Sequence, residues 1–302
     1  MNLLRTGVFF GLAFLLWGCA TMGSGKATAG DVVYNPKSGA ETVGVKPVDA
    51  LAARRDLLYM VQFIQKNSYA DKWLLSMDAG PTQFVVHYRP GPKTANEVEE
   101  SHAYTYGSPE GMVVIFDESQ NRFRVQDGNS KNWDFFLTTR KEDAIRFVNA
   151  VMVLDKYFTT DHTAEIEAAL VKFKPIAEDY RAKKPKPSIP EEVRKCQIAA
   201  ENAFDEKRYD DAINYYGKGI QISPWWPEGY YNLAVLLGQE GFFSHADLEM
   251  KRYLALAPDA PDARKARDKM YVWEAKLELL PHRAPSTPAA QTQTSAPVQS
   301  PK

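Results

Sequence analysis

The order of apolar and polar residues divides the chain into a strand-rich first part and a helical second part. Residues 48–66 place apolar side chains at intervals of three and four, which predicts an amphipathic helix. Six short runs with strand-like patterns follow, separated by turns rich in Gly, Pro, Asp and Asn. The predicted strands are 72–77, 83–88, 102–106, 112–116, 122–126 and 133–137. Short strands at this spacing favour an antiparallel sandwich or barrel.

A helix follows the last predicted strand, with an inward-facing apolar stripe that includes Ala144, Phe147 and Val151. The strand and the start of this helix, residues 133–147, resemble the end of a pleckstrin-homology-like domain. The resemblance implies an α+β domain over 47–160 that closes a small sheet with a helix. It also implies one possible function, the binding of a lipid or another small ligand, although no basic cluster marks a phosphoinositide-type site there.

From residue 161 onward the pattern is helical. Residues 163–182 predict one helix with a kink at Pro175. The Lys- and Pro-rich segment 183–190 predicts a semi-rigid linker between two domains. Two further helices are predicted at 191–205 and 209–222.

Residue classes in the stretch 193–258 recur after 34 residues. The matching pairs are Ala200 and Ala234, Tyr209 and Phe243, Ala212 and Ala246, Tyr216 and Met250, and Pro224 and Pro258. A 34-residue period with small, large and Pro positions in phase predicts helix–turn–helix repeats, and this stretch resembles the tetratricopeptide repeat. Two repeats need a cap, and the charged amphipathic helix predicted at 261–280 supplies one. We therefore expect an all-α domain over 191–280.

The resemblance also implies a binding face, because the leading helices of such repeats line a concave surface. The residues it places there are Gln197, Glu201, Tyr231 and Val235. Two alternatives stay open at this point: a solvated face, or a groove filled by helix 163–182 or by the C-terminal tail. The turn between the repeats carries Trp225 and Trp226, which either pack between the repeats or serve as an exposed aromatic anchor.

The N-terminus resembles a bacterial lipoprotein signal. Residues 1–18 combine Arg5 with an apolar run too short to span a bilayer, and Leu16-Trp17-Gly18-Cys19 resembles a lipobox. The resemblance implies that Cys19 carries a diacylglycerol group and an N-acyl chain such as palmitate. Residue 20 is Ala rather than Asp, which favours the outer membrane. A plain signal peptide that contains Cys is the alternative. Flexible segments are predicted at 19–46, a tether, and 281–302, a disordered tail.

Composition narrows the function. The 37 basic and 38 acidic residues leave no net positive charge for nucleic acid. The five histidines show no metal-ligand spacing, and no phosphate loop or nucleophile elbow occurs. We therefore expect no catalytic residues, no cofactor and no metal. The function expected is a lipid-anchored scaffold in the bacterial cell envelope, facing the periplasm, with an envelope protein as partner. Lipid or small-ligand binding by the domain at 47–160 is the alternative.

Overall fold

The computed structural model describes residues 31–36, 47–64, 72–90, 100–108, 111–128 and 134–280. Within these ranges the strands are β1 Asp31–Tyr34, β2 Lys72–Ala79, β3 Gln83–Pro90, β4 Glu100–Thr105, β5 Met112–Asp117, β6 Arg122–Asp127 and β7 Asp134–Thr138. The helices are α1 Pro47–Ile64, α2 Lys141–Thr159, α3 Thr163–Ala182, α4 Glu191–Asp205, α5 Tyr209–Ile222, α6 Pro227–Gln239, α7 Phe243–Leu256 and α8 Ala263–Glu278. The predicted signal segment, Cys19 and the tail 281–302 lie outside the described residues.

The chain separates into two compact units. The first comprises 1–43 and 110–148, and it holds a four-stranded antiparallel sheet of order β1-β5-β6-β7 together with the start of α2. Val114 pairs with Val125 across β5 and β6, and both side chains are fully buried. Strand β1 falls inside the segment assigned to the tether, 19–46, and brings the strand count to seven rather than six. The ordered chain therefore begins earlier than predicted.

The second unit comprises 44–109 and 149–302. Its antiparallel sheet has the order β2-β3-β4, and Phe84 pairs with Tyr104 across β3 and β4. Phe84 and Val86 are fully buried while Val85 between them is half-buried, which is the period of two expected of a strand with one covered face. Tyr104 donates a hydrogen bond of 2.6 Å to Asp155 on α2, so this sheet is tied to the helices that follow it.

The helical part consists of antiparallel hairpins. α4 packs on α5 and α6 packs on α7, α5 also contacts α6, and α8 covers α7 at the end. The small residues at the predicted close crossings, Ala200, Ala212, Ala234 and Ala246, all have no exposed surface. A small side chain is needed where two helix backbones approach closely, so the structure explains why these positions recur.

Helix α3 lies against α7 rather than standing apart. It runs through Pro175 as one helix, and Phe173 packs edge-on against Tyr230 with ring centres 5.2 Å apart. Lys186 of the predicted linker turns back and donates to the carbonyls of Tyr180 and Arg181 at the end of α3. The linker therefore does not mark a boundary between compact units, since the second unit contains residues on both sides of it.

The prediction of an α+β part followed by a helical part is confirmed. Among the described helices, none is both long enough and apolar enough to cross a membrane.

Candidate functional site

The predicted partner face lies on α4 and α6. Gln197 and Glu201 follow each other by one turn of α4, and the Gln197 amide donates a hydrogen bond of 2.9 Å to the Glu201 carboxylate. Tyr231 and Val235 follow each other by one turn of α6, and both are half-buried. All four residues keep some solvent-accessible surface, as a binding face requires.

Tyr216 on α5 lies between the two halves of this face. Its hydroxyl accepts a hydrogen bond of 3.1 Å from Asn232 on α6, next to Tyr231. The pKa of Tyr216 is raised, first by burial and then by the negative charge of Glu201 on α4. The electrostatic influence of Glu201 and the hydrogen bond from Asn232 therefore meet at one hydroxyl, which connects the α4 side of the face to the α6 side.

Tyr231 is held from behind by α7. Its ring packs edge-on against Tyr253, with centroids 5.2 Å apart, and the Tyr253 hydroxyl bonds to Asp262. The pKa of Tyr231 is raised by burial and by the nearby Asp262. Its hydroxyl therefore stays protonated near neutral pH and can donate a hydrogen bond to a ligand.

The sequence analysis missed the apolar component of this face. Phe204 is 45% exposed and follows Gln197 by seven residues and Glu201 by three, so it lies on the same side of α4. Ile198, 55% exposed, adds a second apolar side chain on α4. The helical spacing of Phe204 was the signal that could have identified it.

Trp226 corrects one prediction. It is 1% exposed and its ring fills the space between α5 and α6, so it is not available to a partner. A Cβ added to Gly219 would lie 2.7 Å from this ring, and one added to Gly229 would lie 2.3 Å from it. Both glycines are needed because the indole occupies the volume of their missing side chains. The alternative of packing between the repeats therefore holds for Trp226.

Trp225, the other half of the pair, is half-buried. Its indole N–H is buried and makes no hydrogen bond within the part of the chain that is described. A buried donor without an acceptor is unfavourable by about 1–3 kcal/mol. Trp225 therefore remains a candidate contact residue.

A second site, unpredicted from the sequence, centres on Arg54 of α1. Its guanidinium lies 2.5 Å from the Asp210 carboxylate on α5 and 2.8 Å from the Glu240 carboxylate at the end of α6. It also lies 5.2 Å from the centre of the Phe242 ring. The three charged side chains are only 9%, 16% and 18% exposed. They join α1 to both helix hairpins.

A third cluster brings together two histidines that are 83 residues apart in sequence. His162 precedes α3 and His245 lies in the first turn of α7, and their ring centres are 4.9 Å apart. Tyr157 contacts both of them: its carbonyl lies 3.0 Å from His162 Nε2, and its hydroxyl lies 2.7 Å from His245 Nδ1. Glu165 on α3 reaches His162 Nδ1 at 3.3 Å.

Burial dominates the electrostatics of this cluster. It lowers the pKa of His245 to about 3, with the nearby His162 and Arg252 adding to the effect. Burial also raises the pKa of Tyr157. His245 is therefore a neutral imidazole at neutral pH, and Tyr157 keeps its proton.

A cavity of about 280 Å³ opens beside the histidine cluster. It is lined by Tyr157–His162 at the end of α2, by Gly241, Phe243 and Ser244 at the start of α7, and by Leu277 and Leu280 from the end of α8 onward. His162 is 5% exposed and forms part of this wall. Solvent therefore reaches the edge of the cluster through the cavity.

Comparison with known proteins adds no assignment to these sites. The sequence matches no protein-family model and no curated protein sequence.

Proposed function

We propose that this protein is a membrane-anchored scaffold that binds another protein of the cell envelope through tetratricopeptide-like repeats. The observation that carries the proposal is the pair of helix hairpins α4–α5 and α6–α7, whose buried alanines repeat at 34 residues while the leading helices keep an accessible face. A buried repeat with an open leading face is the usual arrangement of a repeat protein that binds along its length.

The chemistry of the face favours a peptide segment with an apolar anchor. Phe204 and Tyr231 offer aromatic area, and aromatic side chains dominate the energy of many interfaces. Gln197 and Glu201 surround this area with hydrogen-bonding groups. Helix α3 makes its described contacts with α7 and Tyr230, which leaves the α4 side of the face to a partner.

The membrane anchor is the lipid predicted on Cys19. Each buried CH₂ group of an acyl chain contributes about 0.8 kcal/mol, so several chains hold a protein stably in a bilayer. We expect Cys19→Ser to move the protein from the membrane fraction to the soluble fraction. Retention of this variant in the membrane pellet after a high-salt wash would contradict the lipid anchor.

Site-specific photocrosslinking in cells tests the binding face. A photoreactive amino acid at Glu201 should capture one discrete partner, whereas the same group at Glu178, which is 54% exposed on α3, should not. Adding Phe204→Ser should reduce the Glu201 adduct, because the apolar anchor is lost. An adduct of equal strength from both positions, unaffected by Phe204→Ser, would move the binding site away from this face.

The alternative of a small-ligand site among the strands of the first domain stays a prediction. The cavity described above lies at the ends of α2 and α8, and it supports the next inference instead.

A further inference from the structure

We propose that His162, Glu165 and His245 form a binding site for a divalent transition-metal ion, with Zn²⁺ as the best-matched ion. Each residue offers one ligand atom, and the three atoms lie within 4.8 Å of one another. Two imidazoles and one carboxylate form a ligand set that suits zinc and leaves a fourth position open. The site is independent of the scaffold function, since it lies at the start of α3 and α7.

The hydrogen bonds of His162 show why a cation belongs here. A carbonyl oxygen can only accept, so the His162 Nε2 that lies 3.0 Å from the Tyr157 carbonyl must carry the hydrogen. In a neutral ring the other nitrogen, Nδ1, then holds a lone pair, and it faces a Glu165 oxygen at 3.3 Å. A lone pair and a carboxylate repel each other unless a positive group, a proton or a metal ion, lies between them.

His245 decides between these two cations. A proton needs only the His162 and Glu165 pair, but a third ligating residue is present. The Tyr157 hydroxyl lies 2.7 Å from Nδ1 of His245 and can accept its hydrogen, which leaves the lone pair on Nε2. A second positive group beside an already charged imidazolium would be unfavourable for His245, whereas a metal ion uses its lone pair.

Tyr157 orients both imidazoles. Its carbonyl and its hydroxyl hold one nitrogen of each ring, which is the second-shell arrangement found around metal-binding histidines. In a tetrahedral zinc site with bonds of about 2.0–2.1 Å, neighbouring ligand atoms lie roughly 3.3 Å apart. The His162–Glu165 separation already matches this value, and Glu165, 55% exposed, is free to close the remaining gap.

The geometry also provides access and a consequence. The cavity lined by His162 gives the ion a route from solvent to the open coordination position. A bound ion would join the start of α3 to α7 and so hold α3 against the repeats. The ion is therefore expected to stabilise the second unit.

The test uses the full-length protein in detergent, freed of metal with a chelator and titrated with Co²⁺ and Zn²⁺. We expect one Co²⁺ per chain with visible absorption typical of tetrahedral coordination, its displacement by Zn²⁺, and a rise in Tm with added Zn²⁺ but not with Mg²⁺. Glu165→Gln should weaken the affinity at least about tenfold, because the neutral amide is a poor zinc ligand.

Matched variants distinguish this site from adventitious binding. Glu167→Gln changes an exposed acid on the same helix, and His87→Gln changes a histidine that pairs with Asp78 on a separate strand. Both should keep the one-to-one binding. Glu165 is exposed, so its variant should fold even if His245→Gln does not. Absence of one-to-one binding in the parent, or equal binding by Glu165→Gln, would leave a proton as the shared cation and overturn the proposal.

Discussion

Replacing Arg54 with Met should destabilise the second unit far more than an ordinary surface substitution. Met keeps much of the aliphatic length of Arg but removes the guanidinium that neutralises Asp210 and Glu240. Both carboxylates are then left less than one-fifth exposed and without their common partner.

The expected magnitude follows from this burial. Removing one partner of a buried ion pair destabilises by about 3–5 kcal/mol. Asp210 and Glu240 keep a little contact with water, so we expect the lower end, about 3 kcal/mol. For a unit of this size, that corresponds to a fall in Tm of roughly 6–12 °C.

Arg55 provides the matched control. It neighbours Arg54 on α1 but is 49% exposed and lies 3.8 Å from Asp211, itself 38% exposed. An exposed pair of this kind contributes about 0–1 kcal/mol. Thermal unfolding followed by circular dichroism should therefore separate Arg54→Met clearly from Arg55→Met. Equal Tm values for the two variants would show that the Arg54 network does not hold the unit together.

The pH dependence gives a second measurement. Burial raises the pKa of Glu240 above its ordinary value of 4.5, and the positive charge of Arg54 holds it down. Without Arg54 the folded-state pKa rises further, so the folded state binds a proton more readily than the unfolded state. Stability of Arg54→Met should then fall as the pH increases above 4.5, and the deficit should be larger at pH 7 than at pH 4.5. Glu240→Gln in the same background should recover part of it at pH 7.

Two further predictions concern packing and hydrogen bonding. Gly229→Ala should destabilise by about 1–3 kcal/mol in urea denaturation, because the new methyl group meets the Trp226 ring at 2.3 Å. Gly217→Ala, whose Cβ meets nothing within 4 Å, should instead stabilise α5 by about 0.5–1 kcal/mol, and the same sign for both variants would refute this packing. Tyr104→Phe should destabilise by about 1.5–3 kcal/mol through loss of the charged hydrogen bond to Asp155, and an unchanged urea midpoint would contradict that bond.

Local periodicity was sufficient to predict most elements. Helices α3, α4 and α5 have the bounds that the apolar pattern predicted, because Pro, Lys and polar residues end each stripe sharply. Strand β1 was missed because four residues beside a flexible-looking segment carry too little pattern, and its pairing with β5 is a long-range choice.

The sites depended on contacts that no local pattern records. His162 and His245 meet because α3 lies against α7, and a spacing of 83 residues gives no metal signature. Trp226 could have been assigned to the interior from one signal, namely the glycines at 219 and 229 inside otherwise regular helices. The Arg54 network required knowledge that α1 packs near the helical repeats, which sequence periodicity does not contain.

The interrupted second unit has a consequence for the order in which the protein is made. Residues 44–109 leave the ribosome first, but their partners in the same unit begin only at residue 149. Arg54 waits for Asp210, 156 residues later, and for Glu240, 186 residues later. Long-range contacts form slowly, and exposed apolar surface invites aggregation and proteolysis in the meantime. A chain that stops before residue 240 therefore cannot complete its first helix–repeat junction, so we expect premature truncation to be removed by proteases rather than tolerated as a shorter folded protein.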